Sequence, residues 1–285
     1  MPTNASNAPV TLITGSSRGL GRDMALRLAE EGHDLIVTYR TRADEAGAVV
    51  AAIEARGRQA VALSLDAGDT NAIAGFVDRV RDALRTLGRD RLQALVHNGG
   101  SGLHKAFAEI EAGELDSLYA MHFKGPFLLT RALLPLIADG GRVLNVSSGL
   151  TRFTVPGYSA YAAMKGALEV LTRYQAKELG ARDIAVNTLA PGAIATDFNG
   201  APYATTRSST PSSPRRPRSD GSVNPRISAV SPQRCFHRPA HGSTASASKP
   251  RVACFSKPVI APHRATPCER CRVMLTHGEN AGIAA

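Results

Sequence analysis

At 285 residues with 43% hydrophobic content, the chain is long enough for one large α/β domain or two small ones and has the apolar material for a sizeable core. It has no Trp and only 5% aromatic residues, which argues against an aromatic-stacking nucleic-acid module, and no apolar run approaches the roughly 18 residues of a spanning helix. A net charge of +10 points to anionic partners only until it is counted by region: residues 1–200 hold 21 basic and 21 acidic residues, whereas residues 201–285 hold 13 and 3.

The same boundary divides other residue types. Of 17 prolines, 11 lie after Gly200, as do all 4 cysteines, so the cysteines say little about redox compartment. The chain therefore changes character near residue 200, from alternating apolar and amphipathic stretches to a Ser/Pro/Arg-rich tail. The tail has too little contiguous apolar surface to offset the entropy of ordering and is expected to be disordered. The N-terminal MPTNASNAPV has neither the basic start nor the apolar run of a secretory signal, and a cytoplasmic location is expected.

In chain order, Val10–Thr14 reads as a short strand running into glycine-rich sequence, followed by a helix from Gly19 to Glu31. Asp34–Tyr39 is a second strand, and the helix after it places Ala46, Val49, Val50 and Ile53 on one face. Gln59–Leu65 is a third strand; Ile73, Phe76, Val77, Val80, Leu84 and Leu87 stripe the third helix. Leu92–His97 and Arg142–Val146 are further strands joined through a helix at Leu115–Ile137. A helix near Ser159–Leu179 leads to a last strand at Ile184–Leu189. Six strands alternating with helices predict an α/β fold, a doubly wound parallel sheet, with ligands bound beyond the carboxyl ends of the strands.

The chemistry-bearing motifs fall at those ends. TGSSRGLG, Thr14 to Gly21, joins the first strand to the first helix: Gly15 permits a tight turn, and Gly19 and Gly21 let the backbone approach a pyrophosphate at the helix N-terminus. The second strand ends on Tyr39 rather than on an acidic residue, followed by Arg40 and Arg42, with Arg18 in the glycine loop. An acidic residue there would accept ribose hydroxyls and repel a 2′-phosphate, whereas arginine forks suit a phosphate dianion. Arg18 with Arg40 therefore points to NADP(H), while Arg42 reads as a solvated charge at a helix start. Tyr161 and Lys165 stand four apart on one helix face, where an ammonium is expected to lower the phenol's pKa and fit it for proton transfer to a carbonyl oxygen.

The T-G-x-x-x-G-x-G spacing, with Ser148 in NVSS thirteen residues before Tyr161, resembles the classical short-chain dehydrogenase/reductase family, and the resemblance runs through residues 10–200. It implies that Ser148 orients the substrate oxygen, Tyr161 is the acid/base, and Lys165 also holds the nicotinamide ribose. Asp66 resembles the family's adenine-contacting Asp, HNGG (His97 to Gly100) its N-N-A-G motif with two substitutions, and PGAIAT (Pro191 to Thr196) its segment bordering the nicotinamide. The implied cofactor contacts are Gly15, Ser17, Arg18, Gly19, Leu20 and Gly21, then Arg40, Asp66, Asn98 and Gly99, then Tyr161 and Lys165, and finally Pro191, Gly192, Ile194 and Thr196. His122 stands where the family often has an Asn that anchors a proton-relay water; imidazole can bond that water and exchange protons near neutral pH.

The expected function is NADP(H)-dependent interconversion of a small carbonyl and an alcohol, with a 3-oxoacyl reductase as the most common family role. An NAD-dependent dehydrogenase and an inactive nucleotide-binding protein are the alternatives. Neither nucleic acid nor membrane is an expected partner, although Arg215–Arg218 is basic, and no metal is expected, although Cys268 and Cys271 with His263 and His277 have ligand-like spacing. Family members continue past this point with a substrate-covering helix and a seventh strand, which residues 201–285 do not show in sequence. The sixth strand is then expected to be an uncovered edge. The homodimer or homotetramer expected of an intact member is not expected here.

A shifted reading frame accounts for the tail. If each codon is rebuilt from the third base of one and the first two of the next, the choices across Ser219–Val230 include GRVGEPEDIGG. Those across His241–Ala253, in the same frame, include WVNGQRLEASGG. Both resemble the family's C-terminal segments, in order. Independent sequencing of the gene is expected to show a single-base discrepancy near codons 200–207; an unbroken frame in repeat reads defeats this reading.

Overall fold

The computed structural model describes residues 8–192 and 194, and the backbone of 252–255. Its sheet is wholly parallel. The strands are β1 (Val10–Ile13), β2 (Asp34–Tyr39), β3 (Ala60–Ser64), β4 (Leu92–His97), β5 (Ile137–Val146), β6 (Ala185–Pro191) and β7 (Val252–Phe255). They lie in the order β3-β2-β1-β4-β5-β6-β7. The chain steps outward from β1 to β3, then returns to set β4 on the other side of β1. A crevice opens at that reversal, beyond the carboxyl ends of β1 and β4.

The helices are α1 (Gly19–Glu30), α2 (Ala43–Glu54), α3 (Ile73–Thr86), α4 (Ala112–Tyr119), α5 (Gly125–Leu133) and α6 (Ser159–Glu178). Because a parallel sheet is buried on both faces, its strands are apolar on both. On one face Ile13, Leu35, Val37, Val96 and Leu144 pack against Met24 and Leu28 of α1 and Val49 and Ile53 of α2. On the other, Leu12, Ile36, Leu95 and Val143 meet Phe76 and Val80 of α3 and Leu129 and Leu133 of α5. The doubly wound architecture is thus as expected, and no helix among the described residues is long and apolar enough to cross a membrane.

Three expectations need correction. The helix anticipated over Leu115–Ile137 forms but is not regular: α4 passes into a π turn at Ala120–Lys124, then α5, then a 3₁₀ turn at Leu134–Leu136. Pro126 has no N–H for the carbonyl a turn earlier, and Gly125 runs so close to the loop after β3 that a Cβ there would lie 2.0 Å from the Ala67 carbonyl oxygen. Second, β5 begins five residues before Arg142, at Ile137, across an irregularity in its pairing with β4 that is accommodated around Gly140 (φ 72°). Third, β6 is not an uncovered edge. Val252–Phe255 pairs with it in parallel, Thr188 opposite Val252 through Pro191 opposite Phe255. VACF is a four-residue apolar run inside basic, proline-rich sequence, too short to stand out by periodicity. The rest of the tail, with its expected disorder, the basic run and the Cys/His spacing, lies outside the described residues.

Three histidines, His97 and His122 buried and His33 half-buried, tie the fold to pH. Burial, then the charge of Arg58, pushes His33 from its usual value near 6.5 down to about 4, against Asp34. Burial and the charge of Lys165 push His97 down to about 3, and His122 likewise to about 3 against the pull of the Ser101 carbonyl. Each stays neutral when folded and takes up a proton on unfolding below its ordinary pKa, so stability present above about pH 6.5 is lost as pH falls toward the folded values. Tm measured by circular dichroism is expected to drop from pH 7.5 to pH 5, less steeply in His33→Gln; a flat profile would contradict this account.

Candidate active site

The glycine loop is held from both sides. Thr14 continues β1 by donating its N–H to the Val96 carbonyl at 2.9 Å, and its Oγ1 accepts from the N–H groups of Asn98 and Gly99, both at 2.9 Å. Asn98 returns the contact, its Nδ2 donating to the carbonyls of Thr14 at 3.1 Å and Gly15 at 2.9 Å. On the β2 side, Gly15 N–H donates to Thr38 Oγ1 at 3.0 Å, and buried Ser16 exchanges bonds with the Thr38 backbone. Sequence reasoning passed over Thr14, Ser16 and Thr38. Their signal was present: polar residues at the ends of apolar strands, fully buried here.

Gly15 sits at φ 62°, and a Cβ there would lie 2.7 Å from Gly99 Cα, so both conformation and space demand glycine. Gly19 opens α1 at φ 56°. Gly21 has a packing role. It is buried, and a Cβ would meet Gly15 O at 2.3 Å and Asn98 Nδ2 at 2.5 Å, so its missing side chain lets helix pack on loop. Arg18 caps α1 in extended conformation, Ser17 and Leu20 are half-buried beside it, and the first turn of α1 carries no acidic residue. This helix end suits an anion. Arg40 is exposed just past β2 and forms no ion pair with a described residue, whereas Arg42 is bonded to Glu45 at 2.5 Å, as a helix-start charge. Asp66, exposed after β3, accepts from Gly68 N–H at 2.9 Å.

The second cluster sits at the end of β5. Ser148 caps a 3₁₀ turn (Gly149–Thr151), accepting from Leu150 N–H at 3.2 Å, and is hydrogen-bonded to Tyr161. Tyr161 and Lys165 are buried on α6; Lys165 Nζ lies 5.7 Å from the Tyr161 ring centroid and donates to the Val146 carbonyl at 2.8 Å. The expected lowering of the phenol's pKa is not what burial produces. Desolvation pushes Tyr161 up to about 12 against the Ser148 bond, and pushes Lys165 down to about 8. The apposed phenol is therefore held protonated.

His122 is delivered to this cluster by the π turn. It is buried, edge-on to Tyr161 at 5.1 Å and 87°, and its Nε2 bonds the Ser101 carbonyl at 2.6 Å. A carbonyl only accepts, so Nε2 carries the hydrogen and Nδ1 is an acceptor, buried with no partner among the described residues. Its pKa near 3 corrects the expectation of proton exchange near neutrality: His122 is a neutral acceptor. Glu169, one turn beyond Lys165, was also missed. Its Oε1 accepts from Ser147 at 2.7 Å and Thr151 at 2.9 Å, tethering both sides of Ser148 to α6. The i, i+4, i+8 series Tyr161–Lys165–Glu169 was the available signal. Pro191 ends β6 with its carbonyl oxygen 3.4 Å from where a Gly149 Cβ would be; Gly192 is exposed, Ile194 is half-buried, and Thr196 lies outside the described residues.

The short chain dehydrogenase family profile matches residues 9–206. The 3-oxoacyl-[acyl-carrier-protein] reductase of Synechocystis is 33% identical over 196 residues, 68% of this chain and 77% of that protein. Among solved structures, the landomycin C-6 ketoreductase with bound NADP and rabelomycin is 35% identical with a TM-score of 0.64, covering 67% of this chain and 77% of that one. A Burkholderia cenocepacia short chain dehydrogenase in complex with NADP is 37% identical with a TM-score of 0.64, covering 70% and 80%.

The packing of Gly21 gives a direct test. Gly21→Ala is expected to cost about 1–3 kcal/mol by overpacking against backbone, read as a lower urea midpoint. Gly47→Ala, on a face of α2 with nothing within 4 Å of the added carbon, should leave the midpoint unchanged or raise it.

Proposed function

Because the chain belongs to the short-chain dehydrogenase family, we propose that it is an NADP(H)-dependent ketoreductase in which Ser148, Tyr161 and Lys165 act on the carbonyl oxygen. One observation carries the reading: a buried, protonated phenol bonded to Ser148 beside a buried lysine, at the same carboxyl end of the strands as an anion-suited helix end. The NADP bound in the two solved relatives agrees with it.

The residues present fit the cofactor. Gly15 and Gly99 let the ends of β1 and β4 close on each other, and the N-terminus of α1, capped by Arg18, carries no acidic residue in its first turn. Arg40 at the end of β2 suits a 2′-phosphate, and Asp66 and Asn98, after β3 and β4, would contribute to holding the cofactor. When bound, NADPH supplies a hydride to the substrate carbon. Ser148 Oγ donates a hydrogen bond to the substrate oxygen and fixes its position. Tyr161 Oη gives that oxygen its proton, which a phenol held up to about 12 retains throughout the neutral range. Lys165, still largely an ammonium below about pH 8, favours the phenolate that remains. His122 Nδ1, a buried acceptor with no partner among the described residues, would take a hydrogen bond from a water in the route by which the proton is replaced. The change of character near residue 200 and the end of the family match at residue 206 support the shifted-frame reading of the tail.

Ketone reduction followed by NADPH absorbance is expected to fall as pH rises through about 8, where Lys165 loses its proton. Tyr161→Phe should lower kcat by roughly 10²–10⁴ while NADPH binding stays within about twofold. NADH should be the poorer donor, and Arg40→Ala should narrow the gap. Full activity in Tyr161→Phe would sink the proposal.

A further inference from the structure

Between the loop after β4 and the segment leading into α6 lies an open cleft of about 520 Å³. Phe107 comes from the loop after β4, Leu150, Val155, Pro156 and Tyr158 from the segment between β5 and α6, and Ala162 from α6 itself. Leu150 packs against the small cluster that holds Tyr161, and Ala162 follows Tyr161 in the chain, so the cleft neighbours the Tyr161 cluster without Ser148 or Tyr161 forming part of its wall. No Asp, Glu, Lys or Arg is among its described lining residues. The adjacent cation, Lys105, is taken up by Glu114 at 2.9 Å and Glu111 at 3.4 Å, and Arg152 stands exposed on the same loop outside the wall.

The cleft is built rather than incidental. Lys105 N–H donates to the Gly157 carbonyl at 2.9 Å, latching the two loops together. His104 stands edge-on to Tyr158 at 4.8 Å, and Gly157, at φ 87°, has no Cβ where the His104 ring sits; one would lie 2.5 Å from Nε2. The result is a set of flat aromatic surfaces around an uncharged space, with the Phe107 ring 83% exposed at its mouth. Such surfaces gain by covering another ring and offer nothing to a phosphate-bearing carrier, whose charge would have to be desolvated without a partner.

We infer that this cleft selects an uncharged, ring-bearing ketone, such as a fused bicyclic or tricyclic aromatic one, over a 3-oxoacyl thioester. The inference rests on the ketoreductase reading and names its substrate class.

The test compares 2-tetralone with acetoacetyl-coenzyme A as substrates of the full chain with NADPH, and measures 2-naphthol binding by its fluorescence, which no Trp obscures. We expect kcat/KM to favour 2-tetralone by at least about tenfold. Phe107→Ala should reduce that value about tenfold, chiefly through KM, and weaken naphthol binding to match, in line with the loss of one well-packed apolar contact. Arg152→Ala should change neither. Preference for the thioester, equal losses on both substrates in Phe107→Ala, or no naphthol binding by chain that binds NADPH would each overturn the inference. Naphthol binding that depends on Phe107 without turnover of any ketone would support the cleft as an aromatic site and overturn the ketoreductase reading instead.

Discussion

The structure depends on one reciprocal contact at the point where the strand order reverses. Thr14 Oγ1 accepts two backbone N–H groups from the β4 end, and the Asn98 amide answers with two bonds to carbonyls at the β1 end. Each such bond contributes only about 0.5–1.5 kcal/mol net, so their main effect is geometric. They hold two strand ends that are far apart in sequence in a single relation, and everything around them must be small. Gly15 and Gly99 touch, and Gly21 brings α1 down onto the same knot. The glycine loop is thus held in one geometry by its own contacts, and preorganisation of this kind reduces the cost of binding.

A second constraint is burial at the other end of the crevice. Tyr161, Lys165 and His122 are all nearly inaccessible, and in each case desolvation outweighs the neighbouring polar groups. Burial favours the uncharged form of each, a phenol that keeps its proton, a lysine that gives one up more easily, and an imidazole that only accepts. Glu169 and Ser147 stabilise the loop that presents Ser148, and the π turn brings His122 inward. π turns interrupt the regular ladder and cost stability, which is why they concentrate where a side chain must be aimed.

Much of this was legible in the sequence. The six strands of residues 10–191 stand out because both faces of a parallel sheet are buried, so the strands are continuous apolar runs. The TGSSRGLG loop and the Ser148–Tyr161–Lys165 spacing were legible because local geometry, a strand-to-helix turn and one helix face, already constrains which atoms can meet. Less legible were features set by distant partners. The π turn before Gly125–Pro126 answers to the Ala67 carbonyl in another loop, the early start of β5 to its pairing with β4, and β7 to an open row of backbone groups on β6. None of these leaves a period in the sequence.

By itself, then, the sequence determined the strand and helix alternation, the glycine loop, the arginines that follow β2, and the Ser148–Tyr161–Lys165 spacing, because each follows from periodicity or from contacts within a few residues. The tertiary structure decided the roles that depend on approach: Gly21 as a packing residue, Asn98 as a latch, Glu169 as a tether, and the apolar cleft between two loops. It also decided protonation. A side chain's charge follows from how much water surrounds it, and that is known only once the elements pack.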